Sequence, residues 1–196
     1  MEKLTPQSLY SLEEYARVRN AFRSEVIAHK KNRRLPLGDH AALYFEDRLT
    51  MQYQVQEMLR IERIFEPEGI ADELDAYNPL IPDGSNWKAT FMLEYADENE
   101  RRHALAKLIG IERSIWMQVE GYDKVHPIAN EDLERETEEK TASVHFLRFE
   151  LSPDMIAALK KGARIRAGID HPSYRVESEV PPEVRDSLSA DLLQPA

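Results

Sequence analysis

Glu57 is the residue whose neighbours in sequence most invite chemistry. Set on a helix at about 100° per residue, Gln52, Gln56 and Arg63 fall on one narrow polar side. Leu49, Met51, Tyr53, Val55, Met58, Leu59, Ile61, Ile64 and Phe65 fill nearly everything else. The pattern predicts a mostly buried helix, in which Gln54, Glu57 and Glu62 each need a partner or an edge position. A carboxylate in apolar surroundings can have a raised pKa and do acid–base work; the alternative is an ion pair with Arg60 or another arginine. His145 shares a predicted strand face with Leu147 and Phe149, and His171 follows Asp170 at the end of another strand. Each is read either as a buried imidazole hydrogen-bonded to its sheet or as a general base or metal ligand, because imidazole titrates near neutral pH. An enzyme built from these parts would use Glu57 and His145 as acid–base groups and Arg60 or Arg148 as an anion clamp. Tyr53 and His171 complete the set of candidate ligand-binding residues.

Other chemistries are harder to find. The chain has no cysteine, which removes disulfides, thiolate nucleophiles and cysteine-held clusters from consideration. A P-loop, a dinucleotide-binding glycine fingerprint, a nucleophile elbow and a zinc His-Glu-x-x-His are all missing, and seven glycines leave little material for phosphate cradles. Glu100-Arg101-Arg102-His103 matches one Glu-x-x-His element of di-iron bundles. Such sites need two of these elements and two further glutamates, and His103 falls on the side away from Ala104, Leu105 and Leu108. No resident metal or organic cofactor is expected. The net charge of −10 argues against general nucleic-acid binding. The charge is uneven, with eight bases against four acids in residues 1–34 and 18 against 32 in the remainder. The cluster Lys30, Lys31, Arg33 and Arg34 reads as a solvated helix end or, alternatively, as an anion or RNA site.

The elements that must position these residues follow from caps and periodicity. Ser11-Leu12-Glu13-Glu14 is a capping box opening a helix to about His29, and Asp47 can cap the Glu57 helix, which would run to about Glu66. A strand at His40–Phe45 and a short helix at Ala71–Tyr77 complete the first part, before a rigid loop from Asn78 to Asn86. Two strand–helix–strand units come next. Trp87–Tyr95, Asp97–Ile109 and Ile115–Glu120 form the first, and Ser143–Leu151, a helix opened by Ser152-Pro153, and Ala163–Ile169 form the second. Val125–Ile128 is expected to pair back as a hairpin. Asn130–Lys140, with six acids and two bases, is expected to be solvated. The expected fold is α+β: an N-terminal helical region packed on one mostly antiparallel sheet with two crossover helices, in a ferredoxin-like arrangement. The expected organisation is a single domain over 1–196, with a mainly helical lobe at 1–77, a sheet-containing lobe at 87–172 and a C-terminal tail at 173–196. That tail carries a short helix around Val184–Leu188. No membrane span or secretory leader is read, so the expected location is the cytoplasm.

Several segments together resemble a known family. They are Glu46-Asp47-Arg48-Leu49, the run from Tyr53 to Glu62, Asn78-Pro79-Leu80-Ile81-Pro82-Asp83-Gly84, Glu138-Glu139-Lys140-Thr141, the run from His145 to Leu151, and Asp170-His171-Pro172. They are similar to the bacterial family numbered 3501 among the domains of unknown function. The resemblance spans nearly the whole chain and brings no catalytic residues with it. It implies neighbourhood to an iron–sulfur oxidoreductase and a rubrerythrin-like protein, and hence a part in redox or peroxide defence. The functional expectation is an accessory or ligand-binding protein that acts through such partners or as a homodimer. The alternative is the small enzyme described above, acting on a polar small molecule, and the third class is RNA binding through Lys30–Arg34.

Overall fold

The computed structural model describes residues 2–193. Its helices start where the caps predict. Ser11 Oγ accepts from Glu14 N–H at 3.2 Å and Glu14 Oε2 accepts from Ser11 N–H at 3.1 Å, opening α1 (Leu12–Lys30). Asp47 and Thr50 cap α2 (Arg48–Glu62) reciprocally at 2.9 Å. α2 ends four residues before the predicted stop, because Arg63 turns left-handed at φ 56° and the Ile64 N–H closes on the Leu59 carbonyl. α3 (Pro67–Tyr77) starts with proline in its first turn, where no N–H is needed.

Strands β1 (Arg34–Pro36), β2 (Ala41–Glu46), β3 (Asn86–Leu93), β6 (Ile128–Ala129) and β7 (Val144–Glu150) form a five-stranded sheet in the order β1-β2-β3-β7-β6. Strands β4 (Ile115–Val119), β5 (Lys124–Val125), β8 (Ile165–His171) and β9 (Tyr174–Glu179) form a four-stranded sheet in the order β5-β4-β8-β9. Every pairing between these strands is antiparallel. The α+β class therefore holds, but the single ferredoxin-like sheet does not. Helices α4 (Glu98–Lys107) and α5 (Pro153–Lys160) each carry the chain from the larger sheet to the smaller one. The physical reason is coverage. Leu105 on α4, Leu108 at its end, and Ile156 and Leu159 on α5 offer too little apolar surface to cover the inward faces of β3, β4, β7 and β8, so the two sheets cover each other. Trp87, Phe91, Leu147 and Phe149 of one sheet and Ile115, Met117, Ile165 and Ile169 of the other lie in one buried cluster. The expected hairpin forms only at its start, where Val125 pairs back antiparallel on Met117. Lys124–Val125 pairs with β4 and Ile128–Ala129 with β7, and the chain changes sheets across Pro127.

Two lobe boundaries also differ. β1 and the expected strand β2, inside the stretch read as mainly helical, belong to the larger sheet. The stretch 173–193, read as a tail, supplies β9 and α6 (Pro182–Ala190), while 194–196 lie outside the described residues. Val180, Val184, Leu188 and Leu192 join the main core, and the Leu188 carbonyl accepts from the fully buried indole N–H of Trp87 at 3.0 Å. Gly168 in β8 has no substitute: a side chain there would run into the Trp116 ring and the Val176 carbonyl. α1, α2 and α3 hold two smaller clusters of their own, around Val55 and Leu59 and around Tyr15, Phe22 and Val26.

Candidate functional site

α1 and α2 run antiparallel, meeting in turn at Tyr15–Glu57, Phe22–Tyr53 and His29–Asp47. Arg19 grips the Glu57 carboxylate through Nε at 2.7 Å and Nη2 at 3.0 Å, Tyr15 donates its hydroxyl at 2.7 Å, and Arg60 Nη2 reaches it at 3.2 Å. The Arg19 clamp, with the Tyr15 and Arg60 bonds, lowers the Glu57 pKa to about 2 against the cost of burial. Burial first, and the neighbouring Glu57 second, push the Tyr15 hydroxyl well up. Glu57 is therefore an ionised tie between two helices. Tyr53 packs on Phe22 with ring centroids 6.1 Å apart. The helix is also wetter than its pattern suggests, with Ile61 and Phe65 exposed and Gln56 fully buried. Gln56 Oε1 accepts from Tyr10 N–H at 2.6 Å and its Nε2 donates to the Tyr10 carbonyl at 3.3 Å, while Gln52 Nε2 donates to the Ser8 carbonyl at 2.9 Å. The narrow polar side thus holds the N-terminal segment by its backbone.

His145 is fully buried. Asn130 Oδ1 accepts from Phe146 N–H at 3.2 Å, which orients the amide so that its NH2 donates to His145 Nδ1 at 2.9 Å. The proton then sits on Nε2, facing the Ala142 carbonyl and the Thr141 hydroxyl, each at 3.0 Å. Burial lowers the His145 pKa, disfavouring the charged ring. In the other sheet, His171 accepts from Ser173 N–H at Nδ1 and faces the Ile109 carbonyl at 3.0 Å through Nε2. Arg148, three residues from His145, lies on the opposite face of β7, with both ends of its guanidinium on Glu131 at 2.6 and 2.9 Å and a further bond to Glu150. The six candidate residues thus occupy separate regions. Tyr53, Glu57 and Arg60 sit in the helical lobe, His145 sits inside the larger sheet, Arg148 lies on that sheet's outer face and His171 lies in the smaller sheet.

That outer face carries the feature the candidate list misses. α3 and the loop after it stand over β3 and β7, leaving a cleft of about 700 Å³ whose apolar wall is Tyr77, Pro79, Leu80 and Phe146 and whose charged rim holds Lys3, Lys88 and Arg148 together with Asp75, Glu131 and Asp132. Lys88 donates to the Pro79 carbonyl at 2.6 Å, and Lys3 donates to the Asn78 and Ile81 carbonyls at 2.7 and 2.9 Å. Among the described residues, no salt bridge includes either ammonium. Burial lowers both pKa values, each helped by another cation nearby, Arg148 for Lys88 and Lys88 for Lys3. Lys3 is placed by Asn78, whose amide brackets the Leu4 backbone at 2.8 and 3.0 Å. One local signal for Lys88 exists in the sequence, a lysine on the polar side of the strand Trp87-Lys88-Ala89-Thr90-Phe91. Lys3 has none, because 75 residues separate it from Asn78.

Arg33, read as part of a solvated cluster, is buried as well. It pairs with Asp191 at 2.6 and 3.2 Å, donates to the Phe45 and Glu46 carbonyls at 3.0 and 3.1 Å, and lies 3.4 Å from Asp47. Among the described residues no helix is long and apolar enough to cross a membrane.

Fold and contacts define an α+β protein of two facing antiparallel sheets with a helical lobe in which Arg33, Asp47 and Glu57 serve as internal ties. The chain belongs to the family described as protein of unknown function (DUF3501), whose model matches residues 3–192. It is similar over 98% of its length, and over all of the other chain, to the crystal structure of a novel protein of unknown function from Burkholderia pseudomallei K96243. The identity is 52% and the TM-score 0.93. No curated protein matches.

Proposed function

We propose that this is a non-catalytic, ligand-binding accessory protein whose site is the cleft between α3 and the outer face of the five-stranded sheet. The observation that carries the reading is the convergence of the Lys3 and Lys88 ammonium groups, both held by backbone carbonyls, beside an apolar wall of Tyr77, Leu80 and Phe146. A cleft of that size with cations at one side suits a small molecule that joins an anionic group to an apolar body. The alternative, an enzyme with Glu57 and His145 as acid–base groups, has less support. Glu57 is gripped by Arg19 and Tyr15, both nitrogens of His145 are engaged, and the two residues share no hydrogen-bond partner. An accessory role beside an iron–sulfur oxidoreductase or a rubrerythrin-like protein belongs to the same reading, since a chain without cysteine would pass electrons only through partners.

Isothermal titration with decanoate tests the site. Binding is expected, and Lys88→Met, which keeps the apolar stem, should weaken it about tenfold, the worth of one charge-assisted hydrogen bond. No binding, or binding indifferent to the substitution, overturns the assignment.

A further inference from the structure

Sheet edges offer rows of unpaired peptide groups, and proteins normally blunt them. Three of the four edges described are blunted by brevity: β1 has three residues and ends in Pro36, and β5 and β6 have two each. The fourth, β9, is six residues long, Tyr-Arg-Val-Glu-Ser-Glu, with neither proline nor glycine. Val180 N–H donates to the Ile165 carbonyl at 2.8 Å, and the antiparallel alternation then aims the peptide groups of Val176 and Ser178 at β8 and those of Arg175 and Glu177 outward. Among the described residues, the outward N–H and C=O groups of Arg175 and Glu177 have no partner. The side chains alternate too. Tyr174 and Val176 lean on the core, while Arg175, Glu177 and Glu179 are exposed on the outer face.

We propose that β9 is the surface through which two copies of this chain associate, edge to edge and antiparallel about a two-fold axis at Val176. The charge pattern selects the occupant and the register. Outward peptide groups must meet outward peptide groups, so permitted registers differ by steps of two residues. With Val176 facing its own copy, Arg175 stands opposite Glu177 of the second copy and Glu177 opposite Arg175 of the second copy, giving two identical ion pairs. Shifting by one step places Glu177 against Glu177, a like-charge contact. Arg175 is in no ion pair among the described residues, and the second copy supplies its missing carboxylate. Arg166, already beside Glu177, adds a second cation to that carboxylate. On the inner face Val176 meets Val176, and Tyr174 meets Ser178. The two four-stranded sheets become one continuous sheet with an isologous interface. One strand edge buries far less than the roughly 1,600 Å² of a standard interface, so the dimer is reversible in the micromolar range.

Sedimentation velocity on the full chain across a concentration series tests this, with circular dichroism to show that each variant is folded. The wild type should form dimers. Arg175→Glu and Glu177→Arg should each raise the dimer dissociation constant at least tenfold, and the double exchange R175E/E177R should restore it, because the pairs reform with their signs swapped. A wild type that stays monomeric at several hundred micromolar overturns the proposal. So does a dimer that both single reversals leave unchanged, or a double exchange that fails to rescue.

Discussion

The chemistry at Glu57 and His145 is a matter of which atoms are already taken. Glu57 has three donors in place, so removing its charge costs stability: Glu57→Gln should lower the free energy of urea unfolding by about 1.5–3 kcal/mol at pH 7, the range for hydrogen bonds to charged groups. The sign with pH follows from the depressed pKa. The stabilisation is complete above the ordinary value of 4.5 and is lost as the pH falls from there towards about 2, so wild type and variant should converge in acid. A variant as stable as the wild type at pH 7 would point instead to a carboxyl group that is already neutral. His145 works in the same direction by another route. Burial disfavours its charged form, so the stability it supports is complete above pH 6.5 and declines as acid charges the unfolded chain. Nitrogen-15 NMR at pH 6 should find a neutral ring with the proton on Nε2. An imidazolium signature there would mean that Asn130 does not set the tautomer.

At the scale of elements, Arg33 joins three pieces that are far apart in the chain: the end of α1, the end of β2 and the residue after α6. Asp191 is 4% exposed and depends on that guanidinium, since burial raises its pKa and Arg33 opposes the rise. Arg33→Ala should therefore cost about 3–5 kcal/mol by denaturant unfolding, the range for stranding one partner of a buried ion pair. Lys30→Ala and Lys31→Ala, at exposed positions beside it, should stay within about 0.5 kcal/mol. Equal effects at all three positions would show that Arg33 is no more than a surface charge. The N-terminal segment is held in a similar way, by the Gln52 and Gln56 amides at one end and Asn78 at the other. That hold brings Lys3 to the rim of the cleft.

For the molecule as a whole, the two sheets and α6 share one core, so the C-terminal stretch is structural. A chain ending at Val180 loses Val184, Leu188 and Leu192, each worth about 1.5–3 kcal/mol of burial, and leaves the Trp87 N–H without its acceptor. Total stabilities of about 5–15 kcal/mol leave little after such a loss. The truncated chain should lack the cooperative thermal transition of the full protein by circular dichroism. A retained transition at an unchanged temperature would show that α6 is dispensable.

Much of the local structure was legible in the residues. The Ser11 and Asp47 caps, the alternation at Trp87–Leu93 and Ile115–Val119, and the Ser152-Pro153 helix start are encoded within a few neighbours, and the elements lie there to within a few residues. β9 was not legible, since Tyr174 and Val176 alone make a weak alternating signal that becomes a strand only because β8 lies beside it. Alternation says which side of a strand is apolar but not what will cover it, so one sheet and two facing sheets read alike in sequence. Only the tertiary packing decided between them, because α4 and α5 are too small to cover the apolar faces. The same limit applies to charge. The residues show that Glu57 needs a partner but not which one, and they count Arg33 and Lys88 as surface charges; the partners were set by Arg19, Asp191 and Pro79, from 158 to 9 residues away. Electrostatic and hydrogen-bond partners are chosen by distance in space, which no local pattern carries.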